Sequence, residues 1–120
     1  MARKTGPSKE QADLVSARSA GVCEAIFIDE CTGRAEQMHH RRARGMGGSR
    51  KQDTNSPANL LHICLPCHNA IESFRSLARA QGFLVSQHCA EPVSHVAVWR
   101  RGELVLLTDF GGVVPQEVPF

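Results

Sequence analysis

Met38-His39-His40-Arg41-Arg42 sets two imidazoles side by side, and Cys64-Leu65-Pro66-Cys67-His68 places a third directly after a Cys-x-x-Cys pair. Between them stands Asn59, ahead of Leu60-Leu61. These residue types suit metal-assisted hydrolysis of a phosphodiester. The attacking hydroxide meets a transition state close to a dianion, and a bound divalent cation can neutralise that charge and stabilise the departing 3′ oxygen. A neutral imidazole, titrating close to working pH, can take the proton from water. Adjacent residues on a strand point to opposite faces, so His39 and His40 cannot share one task. One can hold a metal while the other faces the water beside it. His68, opening a helix, can supply a second ligand from across the strand. Glu72 comes one helical turn later on the same face, which makes it either a third ligand or a solvated helix residue.

The cysteines suit a second, structural metal. Cys64 and Cys67 form half of a zinc site, with the loop between them as a knuckle. Cys23 and Cys31 must supply the other half, and their spacing is wider than a tight knuckle. Four thiolates need only meet in space. The alternative is that Cys23 and Cys31 are buried thiols and that Cys64 and Cys67 are core or redox residues. No thioredoxin-like βαβ pattern surrounds them, so a thiol redox protein is the weaker expectation. Cys89 lies outside the pattern and reads as a plain thiol. Met1-Ala2-Arg3-Lys4-Thr5-Gly6-Pro7 leads into a polar stretch, unlike a secretory signal. No apolar run approaches the roughly 18 residues of a membrane span. A reducing, cytoplasmic setting without membrane contact is expected, where metal binding is the better use of these thiols than disulfides.

A chain of 120 residues makes one domain with a modest core, and with 5% aromatic residues, one Trp and no Tyr, that core would gain from a metal staple. The net charge of +2 says little, but its distribution says more. From Arg34 to Lys51 six cationic residues face one acidic one, whereas from Phe83 to Phe120 two cations face four acids. A positive field around the histidine pair is where a polyanion would bind. Arg41, Arg42 and Arg44 are candidates to grip phosphates without reading bases, and such binding weakens steeply with salt. A solvated basic loop is the plainer alternative.

Several elements must position these groups. Ser8-Lys9-Glu10-Gln11 has the form of a capping box opening a short helix through Val15 that ends before Gly21. Ala25 to Ile28 reads as a strand or packed loop, Cys31-Thr32-Gly33 as a turn, and Ala35 to His40 as a strand. Gly45-Met46-Gly47-Gly48-Ser49 reads as a flexible loop and lacks the Lys-Ser/Thr of a phosphate-binding P-loop. Leu60 to Cys64 is a second strand. Pro66 then leads into one helix from about Cys67 to Gln81, stopped by Gly82, with Ile71, Phe74, Leu77 and Ala78 facing the core. Val96 to Trp99 and Leu104 to Thr108, joined through Arg100-Arg101-Gly102-Glu103, read as a β-hairpin. The hairpin has no legible chemistry; it can extend the core, pair with another subunit or dock a partner, and Trp99 reads as core. Val113 to Phe120 reads as a loose tail. His62 alternates with Leu61 and Ile63 and reads as a structural histidine, while His88 and His95 read as surface residues.

Taken in order, the histidine pair, Asn59, Cys64-x-x-Cys67 and His68 resemble the HNH endonucleases of the ββα-metal (His-Me finger) type. The resemblance covers about residues 18 to 75. It implies an α+β fold, with a ββα-metal core stapled by a structural zinc, an N-terminal helix and a C-terminal β-hairpin. The corresponding division is 1–20 as basic arm and helix, 21–82 as nuclease core, and 83–120 as hairpin extension and tail. It implies a metal-dependent DNA endonuclease or nickase leaving a 5′ phosphate and a 3′ hydroxyl. His40 would be the general base, and Asn59 would fix the loop carrying it. His39 and His68, with Glu72 as the candidate third, would hold one catalytic Mg²⁺, Mn²⁺, Ni²⁺ or Zn²⁺. Cys23, Cys31, Cys64 and Cys67 would hold the structural zinc, although many members have Cys-x-x-Cys where this chain has the Cys23–Cys31 spacing. His-His-Arg-Arg followed by Arg-Gly-Met-Gly-Gly is similar to the small HNH proteins of actinobacterial phages. That likeness implies action on DNA beside terminase subunits during packaging in the host cytoplasm; a monomer or weak dimer is expected. The competing class is a non-catalytic zinc-stapled module that binds nucleic acid or a protein partner. A retired site should have lost one of His39, His40 and His68, and all three are present.

Overall fold

The chain is described by a computed structural model over residues 6–43 and 53–116. Among the described residues it is a small α+β protein with two antiparallel sheets. Helix α1 spans Lys9–Ser19. Its Ser8 side chain accepts from Gln11 N at 3.1 Å, and the Gln11 side chain accepts in turn from Ser8 N at 2.8 Å, so the expected capping box is formed. The helix closes at Ala20, in the left-handed region at φ 53°, just before Gly21. Residues 25–28 form a packed loop, not a strand.

Strand β1 (Gln37–His40) pairs antiparallel with β2 (Leu60–Ile63), His39 opposite Leu61 and His40 opposite Leu60. A short 3₁₀ turn over Pro57–Asn59 delivers the chain into β2. Helix α2 (Leu65–Ser73) follows at once, with the Cys64 sulfur capping its first turn and Pro66 in that turn, where a missing N–H costs nothing. The helix expected to run on to Gln81 is two helices. Phe74 leaves the helical region (φ −115°, ψ 58°), and α3 (Arg75–Ala80) starts afresh. That break redirects the apolar stripe. Ile71 and Ala78 are buried as expected, but Phe74 and Leu77 are 58% and 52% exposed. Gly82 ends α3 at φ 83°, with Phe83 N donating back to Ala78 O. Glycine is needed there twice over: any Cβ would sit 2.1 Å from the Ala97 carbonyl oxygen.

The C-terminal hairpin forms from β3 (Val98–Arg100) and β4 (Glu103–Leu107), turning at Arg101-Gly102 with both residues at positive φ. Such a turn matches the right-handed twist of the strands. The segment expected to be a loose tail adds a third strand, β5 (Val113–Pro115), along β4. One core joins the whole: Leu61, Ile63 and Ile71 pack with Phe83, Val98, Val105 and Leu107, and Trp99 packs against them. The segment from residue 83 onward therefore shares the core of the histidine-bearing elements. A buried charge cluster adds to this. Glu24 accepts from Arg18 and Arg100, so α1, the loop after it and β3 meet at one carboxylate. Burial by itself raises the Glu24 carboxyl, but those guanidiniums and the His62 N–H outweigh it and hold it below the usual range. No helix among the described residues is long and apolar enough to cross a membrane.

Candidate metal centres and the histidine pair

His39 is buried on the face of β1 that looks at α2, and its ring lies 5.4 Å from that of His68 in an edge contact. Glu72 joins them from the next turn of α2: one ligand atom from each of the three lies within 4.8 Å of the others. His39 Nε2 lies 2.7 Å from the Phe83 carbonyl oxygen, an acceptor only, so that nitrogen carries the ring proton and Nδ1 keeps a lone pair. Burial pushes the ring down to about 4, so it is neutral at working pH. His68 is held by Gln37, whose Oε1 lies 2.6 Å from Nδ1. Gln37 and His39 sit two apart on one strand, hence on the same face. A ligand ring oriented through its other nitrogen is what a metal-binding histidine requires. Glu72 also accepts from Arg75 at 2.7 Å through one of its two oxygens. Two imidazoles and a carboxylate suit a divalent ion of the magnesium-to-zinc series.

Cys23, Cys31, Cys64 and Cys67 come together as the spacing suggested, their sulfurs within 4.8 Å of one another. The Cys31 and Cys64 sulfurs are 3.7 Å apart. That is close to the edge of a tetrahedron whose metal–sulfur bonds are about 2.3 Å. Main-chain N–H groups point at the sulfurs: Phe27 at Cys67 (3.3 Å), Cys64 at Cys23 (3.3 Å), Gly33 at Cys31 (3.4 Å). Burial pushes the Cys31 and Cys67 thiols up. It opposes ionisation at Cys64 too, but there the N–H groups of Cys67 and Thr32 outweigh it and bring the thiol down to about 7. The group can hold a zinc ion. The wide Cys23–Cys31 spacing is absorbed by the loop 25–28. Cys89 stands apart from the four.

His40 lies on the other face of β1, half-buried, with Nε2 at 2.9 Å from Asn55 Oδ1. It is near enough to His39 that its charge lowers the His39 pKa. Asn59 is fully buried and touches no open surface. Its amide accepts from Arg42 N at 2.8 Å and donates to the carbonyls of Arg42 (3.1 Å) and Thr54 (2.7 Å). It ties the chain leaving His40 to the segment at Thr54.

The arginines need correction. Arg41 is fully buried. Its Nε donates to Gly82 O at 2.8 Å, Nη1 to Ala58 O at 3.0 Å, and Nη2 to Val96 O at 2.7 Å. Arg42 is 2% exposed and ion-paired with Asp53. Both side chains are enclosed by the protein and not presented at its surface as phosphate contacts would require. Arg44 lies outside the described residues. Among the described residues, Arg75 is exposed and reaches Glu72, and Arg79 is exposed one turn further along α3. His62 is structural, its Nδ1 2.9 Å from Ser19 Oγ, while His88 and His95 are exposed.

Sequence reading missed Gln37, Asn55, Phe83 and Glu24. Only Gln37 carried a signal, its strand alternation with His39. No family model, no curated protein and no solved structure matches this chain.

Proposed function

We propose that the protein is a metal-dependent DNA endonuclease or nickase with a ββα-metal core. The observation that carries this reading is the meeting of His39, His68 and Glu72 beside a separate, accessible His40. His39, His68 and Glu72 would hold one divalent cation. Bound there, such an ion supplies charge neutralisation at the phosphate and stabilises the leaving 3′ oxygen. His40 takes the proton of the attacking water. Asn59 holds the strand end so that His40 stays in place, and the four cysteines anchor the start of α2, which carries His68. Arg75 and Arg79 would meet the backbone of the nucleic acid. The resemblance to phage proteins extends the proposal to DNA packaging beside terminase subunits.

The test is cleavage of supercoiled plasmid by the purified protein with Mg²⁺ or Mn²⁺ and with chelator. Beside it runs His40→Ala at equal zinc content. Metal-dependent nicking or linearisation is expected, with a fall of about 10²–10⁴-fold in the variant. DNA binding without cutting under any of these metals would instead support the non-catalytic zinc module.

A further inference from the structure

His40 and Asn55 face each other across the connection from β1 to the turn before β2, with His40 Nε2 2.9 Å from Asn55 Oδ1. An amide oxygen only accepts, so the ring nitrogen opposite it carries the proton. In the neutral ring Nδ1 then holds the lone pair. An imidazole with no such partner exchanges between tautomers and presents a lone pair on a given nitrogen only part of the time.

Asn55 is itself well placed to impose an orientation. Asn59 Nδ2 donates to Thr54 O at 2.7 Å on one side of it. On the other side, Ser56 N donates to Asp53 O at 3.1 Å, and Ser56 Oγ is bonded to Asp109. Asn59 also accepts from Arg42 N at 2.8 Å, two residues past His40. One buried amide therefore ties the strand end carrying His40 to the loop carrying Asn55. The two histidines are oriented by different means. His39 is held by a main-chain carbonyl, whereas the partner of His40 is a side chain that mutation can remove.

We propose that Asn55 is the positioning residue for His40, holding the imidazole proton on Nε2 and leaving Nδ1 as its basic nitrogen. Combined with the nuclease reading, on which only this step rests, Nδ1 takes a proton from water. The resulting hydroxide forms a bond to phosphorus, and the P–O3′ bond breaks with its electron pair going to the 3′ oxygen, which solvent protonates.

The experiment is ¹⁵N–¹H NMR of the imidazole nitrogens in the full-length, zinc-loaded protein. The pH is set well above the ordinary imidazole pKa of about 6.5. His40 is assigned by comparison with His40→Ala. In the wild type the proton is expected on Nε2. Asn55→Asp should keep that tautomer, because a carboxylate only accepts, and it shows that the loop survives substitution. Asn55→Ala should mix or reverse the tautomer with the His39 and His68 signals unchanged. Its plasmid cleavage should fall about tenfold to a hundredfold in kcat at constant KM. A wild-type proton on Nδ1, or an unaltered tautomer in Asn55→Ala, would overturn the proposal. If the tautomers behave as expected and even the wild type fails to cut, the nuclease reading falls and the role of Asn55 stands.

Discussion

Arg41 and Arg42 follow His40 directly in the chain, yet they end inside the protein, and what they do is set by burial rather than by charge. Arg41 serves as a hydrogen-bond donor to carbonyls from three separate segments. Arg41→Met removes those donors, and each buried carbonyl left without a partner costs about 1–3 kcal/mol. Denaturant unfolding should show the loss. If this protein binds DNA, the slope of log affinity against log salt should be unchanged in a folded Arg41→Met sample. A slope smaller by about one would mean that Arg41 touches a phosphate after all. The same contrast separates His40 from Asn59. His40 is half-buried, whereas Asn59 is fully enclosed and bonds only to the chain around it.

Among the elements, α2 links the two groups of side chains that could hold metal. Cys64 caps it, Cys67 lies in its first turn, and His68 comes next. Filling the four-cysteine group should therefore set the position of His68. Cys64→Ser is expected to lower zinc content by mass spectrometry and to weaken Mn²⁺ binding at the histidine centre by about tenfold or more in titration calorimetry. Unchanged Mn²⁺ affinity in a zinc-free, folded sample would disconnect the two. The break at Phe74 and the stop at Gly82 make a second pair of expectations. Phe74→Ala should alter stability by no more than about 0.5 kcal/mol, as exposed positions do. Gly82→Ala combines a strained φ with a collision against a carbonyl, and thermal melting should show a loss of several degrees or failure to fold. Equal effects from the two would refute the divided helix.

For the whole molecule, one core and one charge cluster hold residues from α1 to β4 together. Removing one partner of such a buried ion pair costs about 3–5 kcal/mol, so Glu24→Gln should destabilise strongly. The pH dependence follows from two depressed groups. His39 is held at about 4 by burial, against 6.5 ordinarily, so the unfolded chain binds the extra proton first. Its share of stability is complete above pH 6.5 and is lost as pH falls toward 4. The Glu24 carboxyl is also lowered, so its share is complete above its ordinary 4.5 and is lost as pH drops through the folded value. Melting temperature without added divalent cation should thus decline from pH 6.5 downward. The decline below about 4.5 should be shallower in Glu24→Gln than in wild type. A flat profile from 6.5 to 4 would contradict the burial of His39.

What the sequence determined alone was local or combinatorial. The Ser8–Gln11 cap, a hairpin turn within Arg100 to Glu103 and the strand phase of His39 against His40 depend on neighbours a few positions away, and neighbours are legible. The four cysteines were legible too, because few side chains bind soft metal and the set was nearly forced. Tertiary structure decided the rest. The partners of Arg41 and His39 are main-chain carbonyls, and every residue carries one, so no residue type marks them in advance. Phe74 and Leu77 kept perfect helical spacing on paper, but a single departure in backbone angles turned them outward. The third strand at Val113–Pro115 formed on an edge offered by β4, a surface that exists only once the hairpin has folded.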